Sequence, residues 1–288
     1  MFFLLITIVL NVLLSAIFKI LPKFGIHTLQ AIVVNYYVCV VTGSIYLGKI
    51  PYSATYFSAG WFPWSLLMGC GFIVVFNLIA WCTRVDGITI AAIANKLSLV
   101  IPAVAAILFF GDTTNPWKIG GILIAFPAIY LVTRNKNQSG KLNSLALPAA
   151  LFIGGGLLDT CMNYVQHHFL TQPDDPDHYT IYCFTVAGTI GTILLSVFAA
   201  QNRMRIELKN VIAGLCIGVP NYFSIYFFVR MLHSPFMQAS ASIPLLNIGI
   251  VVASALIAML FYGEKITWIR AAGVALSLIA IVMIAFGR

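Results

Sequence analysis

The sequence predicts an all-α membrane protein, with ten transmembrane helices forming two inverted-topology five-helix repeats around a central cavity. Three observations carry this prediction. Charged residues make up 8% of the chain and hydrophobic ones 61%, with a mean hydropathy of +0.98, whereas soluble domains carry roughly 25% charged residues. Apolar stretches recur along the whole chain, each about 20 residues long, the helical length that matches a hydrocarbon core of roughly 30 Å. A segment of the first half also reappears in the second. The composition excludes a soluble globule. Runs such as GVALSLIAIVMIAF (273–286), apolar on every face, exclude a β-barrel, whose strands alternate over about ten residues.

Polar and Gly/Pro punctuation delimits the spans in order. Span 1 (2–21) lacks a basic start and a small-residue cleavage site, so it reads as a retained helix and not a signal peptide; it closes on Lys19. Span 2 (28–48) carries Asn35, Tyr36 and Tyr37, and span 3 (62–83) carries Asn77 ahead of a terminal Arg84. Span 4 (88–110) holds Asn95 and Lys96, then SLVIP (98–102). Span 5 (117–133) ends at the polar connector TRNKNQSGKLNS (133–144). Span 6 (145–170) contains Asp159 and ends at TQPDDPDH (171–178), which reads as a solvated loop without EF-hand spacing. Span 7 (179–200) is followed by span 8 (210–231), with Asn221, Tyr222 and a terminal Arg230. Span 9 (237–262) opens with SASIPLLN (240–247), and span 10 (266–286) completes the set.

LFFGDTTNPWKIGG (108–121) and LFYGEKITWIRAAG (260–273) align without a gap at an offset of 152 residues (264 − 112). At that offset Asn95 falls on Asn247, Asp112 on Glu264, Lys118 on Arg270 and Gly121 on Gly273. Each half contributes five spans, an odd number, so a duplicated second half is expected upside down in the bilayer, an architecture common in secondary transporters. Alternate connectors hold Lys19, Lys23, Arg84, Arg134, Lys136, Lys141, Arg203, Arg205, Lys209, Lys265 and Arg270 on one side, against Lys49, Lys118, Arg230 and Arg288 on the other. That excess places both termini outside the cytoplasm.

The net charge of +8 fits basic loops facing an anionic leaflet. No basic run with interleaved aromatics appears, so nucleic acid is not an expected partner. The six cysteines lie inside apolar stretches without a C-x-x-C pair; neither a disulfide nor a metal is expected. No phosphate-binding G-x-x-x-x-G-K-[ST], H-E-x-x-H or G-x-S-x-G occurs, which argues against ATP-driven pumping and hydrolase chemistry.

A five-helix unit whose fourth helix ends in LFYGE, followed by the glycine-containing apolar helix ITWIRAAGVALSLIAIVMI, resembles the EamA family of the drug/metabolite transporter superfamily. The first span, ending SAIFK, is similar to that family's first helix, which often closes on a lysine. The resemblance covers the whole chain as two tandem units, 1–138 and 139–288. It implies a carrier of small metabolites, often an exporter of amino acids or related compounds, in an inner or plasma membrane. Three features depart from the pattern: Asp112 stands where Glu is common, no tryptophan precedes SAIFK, and relatives with ten helices keep their termini in the cytoplasm. The sequence thus leaves orientation open.

Asp159 and Lys96 lie deepest among the ionisable groups, Lys96 about 12 Å into its span at 1.5 Å per residue. A charge at a helix centre costs roughly 2.5–3.5 kcal/mol on insertion scales, so each is expected to face the bundle interior, a cavity or a partner. The sequence reading makes both solute-binding residues of one cavity; a structural ion pair, or a lysine snorkelling to the interface, is the competing account. Asn95 and Asn247 are the amides expected at equal depth from opposite repeats, with helix–helix hydrogen bonding as the alternative. The prolines of SLVIP and SASIPLLN free backbone carbonyls where transporter helices break around solute, which makes both fourth helices cavity walls. Lys19, Asn77 and Tyr222 complete the expected solute-binding set; interface anchoring and packing are their competing roles. Asp112 and Glu264 precede helices, where N-terminal capping suffices. His167 and His168 are adjacent and face different directions, which argues against joint metal ligation.

The expected function is alternating-access transport of a small polar or zwitterionic metabolite by a multi-pass membrane protein without a cofactor, with proton coupling through Asp159 an option. The partners are a small-molecule solute and the lipid bilayer. Oligomeric state is open, with a monomer the simplest case. Efflux of hydrophobic cations, or a membrane-embedded lipid-handling role, are the alternatives; Lys96 would repel a cation, and catalysis finds only scattered groups such as Ser98 and His168.

Overall fold

A computed structural model describes residues 2–48, 52–109, 115–133, 143–172, 175–201, 207–232, 239–264 and 267–286. The described residues are almost entirely helical: α1 (Phe2–Ile20), α2 (Thr28–Leu47), α3 (Phe62–Val85), α4 (Ile88–Leu97), α5 (Val100–Phe109), α6 (Pro116–Thr133), α7 (Asn143–His168), α8 (Asp175–Ala200), α9 (Leu208–Leu232), α10 (Ala239–Tyr262) and α11 (Trp268–Phe286), with 3-10 turns at Leu21–Phe24 and Ala54–Ser58. Among them nine helical spans are long and apolar enough to cross a membrane, and Trp268–Ile284 is a shorter apolar helix. The chain is therefore an all-helical protein with the helices of a multi-pass membrane protein. Asp112 and Asp174 lie outside the described residues.

The expected fourth span is two helices, because Pro102 has no N–H to give the Ser98 carbonyl. Ile101 N donates to that carbonyl instead at 2.9 Å, and α4 ends at Leu97 while α5 begins at Val100. A proline of the second half behaves differently: α10 runs unbroken through Pro244.

Helix contacts divide the chain into two compact units. One comprises Met1–Lys19, Leu78–Asp159 and Ser224–Arg288; the other Ile20–Asn77 and Thr160–Phe223. Each unit takes segments from both sequence halves. In the first, α6 packs along α11 and α4 against α10. A Cβ placed on Gly121 would lie 2.8 Å from Ile284, and one on Gly273 would lie 2.6 Å from Val132. Since 132 + 152 = 284 and 121 + 152 = 273, the two contacts are the same contact with the halves exchanged. In the second unit α2 packs along α8. There Gly43 meets Ile181 and Gly191 meets Val33, again an exchange, at an offset of 148 (191 − 43 and 181 − 33).

The second unit holds its helices with buried amides and rings. Asn221 Nδ2 donates to Asn35 Oδ1 at 3.1 Å, and Asn210 Nδ2 to Gln30 Oε1 at 2.6 Å. TQPDDPDH is not wholly a solvated loop. Asp175 opens α8 and, nearly buried, accepts from Thr171 N, Gln172 N and Trp61 Nε1 at 3.1, 2.8 and 3.2 Å. A carboxylate so placed satisfies N–H groups ahead of the helix and complements its dipole.

Candidate functional site

The first unit brings Asn95, Lys96, Ser98 and Asp159 together at the α4–α5 break. Lys96 lies in the last turn of α4, eight residues past Ile88 in a span that runs to Ala105, hence about 12 Å deep. Asp159 lies on α7, seven residues before Gln166 at the end of its apolar span, about 10 Å from that end. The expected span ran to residue 170, so the carboxylate sits off-centre.

Lys96 and Asp159 are near enough for their charges to act on each other, and Ser98 lies near the same carboxylate. The Ser98 hydroxyl also donates to the Asn95 carbonyl at 2.5 Å. A glycine allows this approach. A Cβ on Gly155 would lie 3.2 Å from Asn95 Oδ1 and 3.3 Å from Ser98 Oγ, so α7 meets the break almost backbone to side chain.

The two faces of α7 show which way Asp159 points. Ala146, Ala150, Ile153 and Leu157 form its exposed apolar stripe, the spacing of one helix face. Asp159 is about 200° round from Leu157 and only about 40° from Gly155. Asp159 is exposed and lies on a different face of α7 from that apolar stripe. A broken helix adds its own field: the C-terminal end of α4 carries partial negative charge and the N-terminal end of α5 partial positive charge. The site thus presents both signs of charge and neutral hydrogen-bonding groups, a constellation suited to a solute that is itself amphoteric.

Asn247 is half-buried on α10, the helix packed against α4. Asn77 and Tyr222 belong to the second unit. Asn77 Nδ2 donates to Ile73 O in its own helix at 2.7 Å, and Tyr222 lies over Gly43, 3.0 Å from where a Cβ would stand. Tyr36 is fully buried, and Tyr37 shares a 2.9 Å hydrogen bond with Thr192.

Lys19 stands elsewhere in the first unit, in a second polar cluster that sequence reasoning missed. Its ammonium is 3.6 Å from Glu264 Oε1 and donates to the carbonyls of Thr83 at 3.1 Å and Arg84 at 3.4 Å, the last turn of α3. Glu264 does not cap the helix that follows it, as expected. It caps α4: Oε1 accepts from Ile88 N at 3.0 Å and Oε2 from Thr89 Oγ1 at 3.4 Å. Gly263, at φ +62, ends α10 with Glu264 N bonded to Ala258 O at 3.0 Å, a left-handed turn that aims the next side chain away from its own helix. The Gly-Glu pair of LFYGE has this mechanical meaning. Beside the pair, burial raises the Asp86 carboxyl above the usual carboxylate range, opposed by a hydrogen bond from the Cys82 thiol and by the charges of Arg270 and Lys19.

No family model matches the chain. It is similar to an uncharacterized protein of Haemophilus influenzae, 25% identical over 282 residues, which cover 95% of this chain and 94% of the relative. Among solved structures it is similar to a crystal structure of a protein at TM-score 0.61 and 11% identity, covering 96% of this chain and 95% of that one. That likeness concerns the fold alone.

Proposed function

We propose that the chain is a secondary transporter of EamA type that moves a small polar metabolite such as an amino acid by alternating access, and that it is not an enzyme. The observation that carries the reading is the meeting of Lys96 and Asp159 with Asn95 and Ser98 at a helix break within apolar spans. Buried charges are expensive in a bilayer, and a broken helix beside them is the arrangement by which carriers hold solutes near the midplane. A solute carboxylate would compete for Lys96 and an amine for Asp159. Lys96 argues against hydrophobic cations as the main cargo.

The ten-helix, inverted-repeat organisation belongs to the same proposal. The exchanged contacts Gly121–Ile284 and Gly273–Val132, and Gly43–Ile181 with Gly191–Val33, support it. Reciprocal contacts of this kind are what a two-fold relation generates, and five spans per half turn that axis into the membrane plane.

Counterflow in reconstituted vesicles against a mixed amino-acid and metabolite panel tests the reading. Lys96→Met is expected to insert and purify like the wild type and to lose transport by about ten- to a hundredfold, the consequence of losing roughly 1.5–3 kcal/mol of charge-assisted hydrogen bonding. Full activity in that variant would remove the residue from the mechanism.

A further inference from the structure

The corner between α3 and α4 is gripped from two other elements of the same unit. α1 supplies Lys19, whose ammonium takes two carbonyls at the end of α3. The connector after α10 supplies Glu264, whose carboxylate takes the first N–H of α4 and the Thr89 hydroxyl. The two charges meet at 3.6 Å, and the Tyr262 hydroxyl ties the end of α10 to Ala16 O of α1 at 3.0 Å. Each charge therefore does two things: it pairs with the other, and it complements the helix end it touches, cation at a C-terminus and anion at an N-terminus.

What this grip controls follows from the length of α4. The helix is ten residues, Ile88–Leu97, a rod of about 15 Å. Most of it is buried, and it stops at the Ser98–Leu99 break. Glu264 holds one end and Asn95 and Lys96 stand at the other, so a displacement of the corner is delivered to the break. We infer that Lys19 and Glu264 are positioning residues that contact no solute and set, through the rigid rod of α4, where Asn95 and Lys96 stand. The inference rests on the transport reading only in taking Asn95 and Lys96 as the solute-contacting groups.

Two thiols read the two ends of the rod without any solute. Native Cys82, buried in the last turn of α3 with its thiol 3.7 Å from Asp86 Oδ2, reports the corner; Asn95→Cys reports the far end. In full-length protein in vesicles, with the remaining cysteines replaced, labelling by a charged thiosulfonate is timed at each position. Glu264→Gln, and independently Lys19→Met, are expected to speed Cys82 labelling by about tenfold or more, the effect of losing one charge-assisted bond. Each should also change the Asn95→Cys rate at least severalfold, since α4 moves as one body, whereas Lys19→Arg keeps both rates slow. Exchanging the charges, Lys19→Glu with Glu264→Lys, is expected to leave labelling fast, because each charge then opposes its helix end.

An unchanged Cys82 rate in both single variants overturns the inference. So does a faster Cys82 with an unchanged Asn95→Cys rate, which describes a local tether, and so does full restoration by the exchanged pair, which describes a bare ion pair. If labelling follows expectation while no panel solute moves, the clamp stands and the transport reading falls; solute movement with unaltered labelling gives the converse.

Discussion

Gly87 has a backbone no other residue takes readily, φ +108 and ψ 163, a region that is essentially glycine-only and costs of order 1–3 kcal/mol for a side-chain-bearing residue. It also stands where a Cβ would lie 2.7 Å from Glu264 Oε1. Conformation and space thus make the same demand, and both serve the carboxylate that caps α4. Gly87→Ala is expected to lower the unfolding free energy in detergent by about 2–4 kcal/mol, strain and displacement combined. The check is a thermal melt beside Gly48→Ala, which also has positive φ (+65) but nothing within 4 Å; an equal loss at the two positions would assign the effect to backbone strain alone. Lys96 and Asp159 were legible in the sequence because ionisable groups in apolar spans are rare. Ser98 and Gly155 were not, because a serine and a glycine in such spans are common and gain meaning only from what stands opposite.

At the scale of elements, one local cause gave two outcomes. Pro102 and Pro244 both remove a helix N–H, yet α4 and α5 part at the first while α10 continues through the second. Neighbouring groups re-satisfy a freed carbonyl in different ways, and sequence spacing does not say which. Interfaces between paired helices are more uniform. α6 and α11 approach through Gly121 and Gly273, each backed by the repeat counterpart of the other's contact. Gly121→Leu and Gly273→Leu are each expected to destabilise the protein by roughly 1–3 kcal/mol through overpacking, and to similar extents. Melting curves of the two variants check this, and a large disparity would argue against equivalent environments. The offset of 152 that relates these glycines was readable in the sequence; that they face each other's partners was not, since a repeat states which positions are alike and not which ones touch.

For the whole molecule, the apolar helices and the absence of an ATP-binding motif leave gradients or facilitated diffusion to drive the proposed transport. In the proposed transport, Asp159, exposed beside the break, is the candidate group for proton coupling. Collapsing an imposed pH gradient is expected to slow solute movement severalfold in the wild type and to leave Asp159→Asn unaffected. Solute flux that ignores the gradient in the wild type would exclude coupling through this carboxylate.

The sequence by itself determined that the chain is built of apolar helices long enough to cross a membrane, because hydrocarbon thickness acts on each span separately and composition records that span by span. Only the tertiary structure decided that Glu264 serves α4 and not its own helix, and that Lys19 belongs to the α3–α4 corner. Hydrogen bonds between residues 64 to 176 positions apart depend on how helices pack, and no local pattern of side chains encodes that.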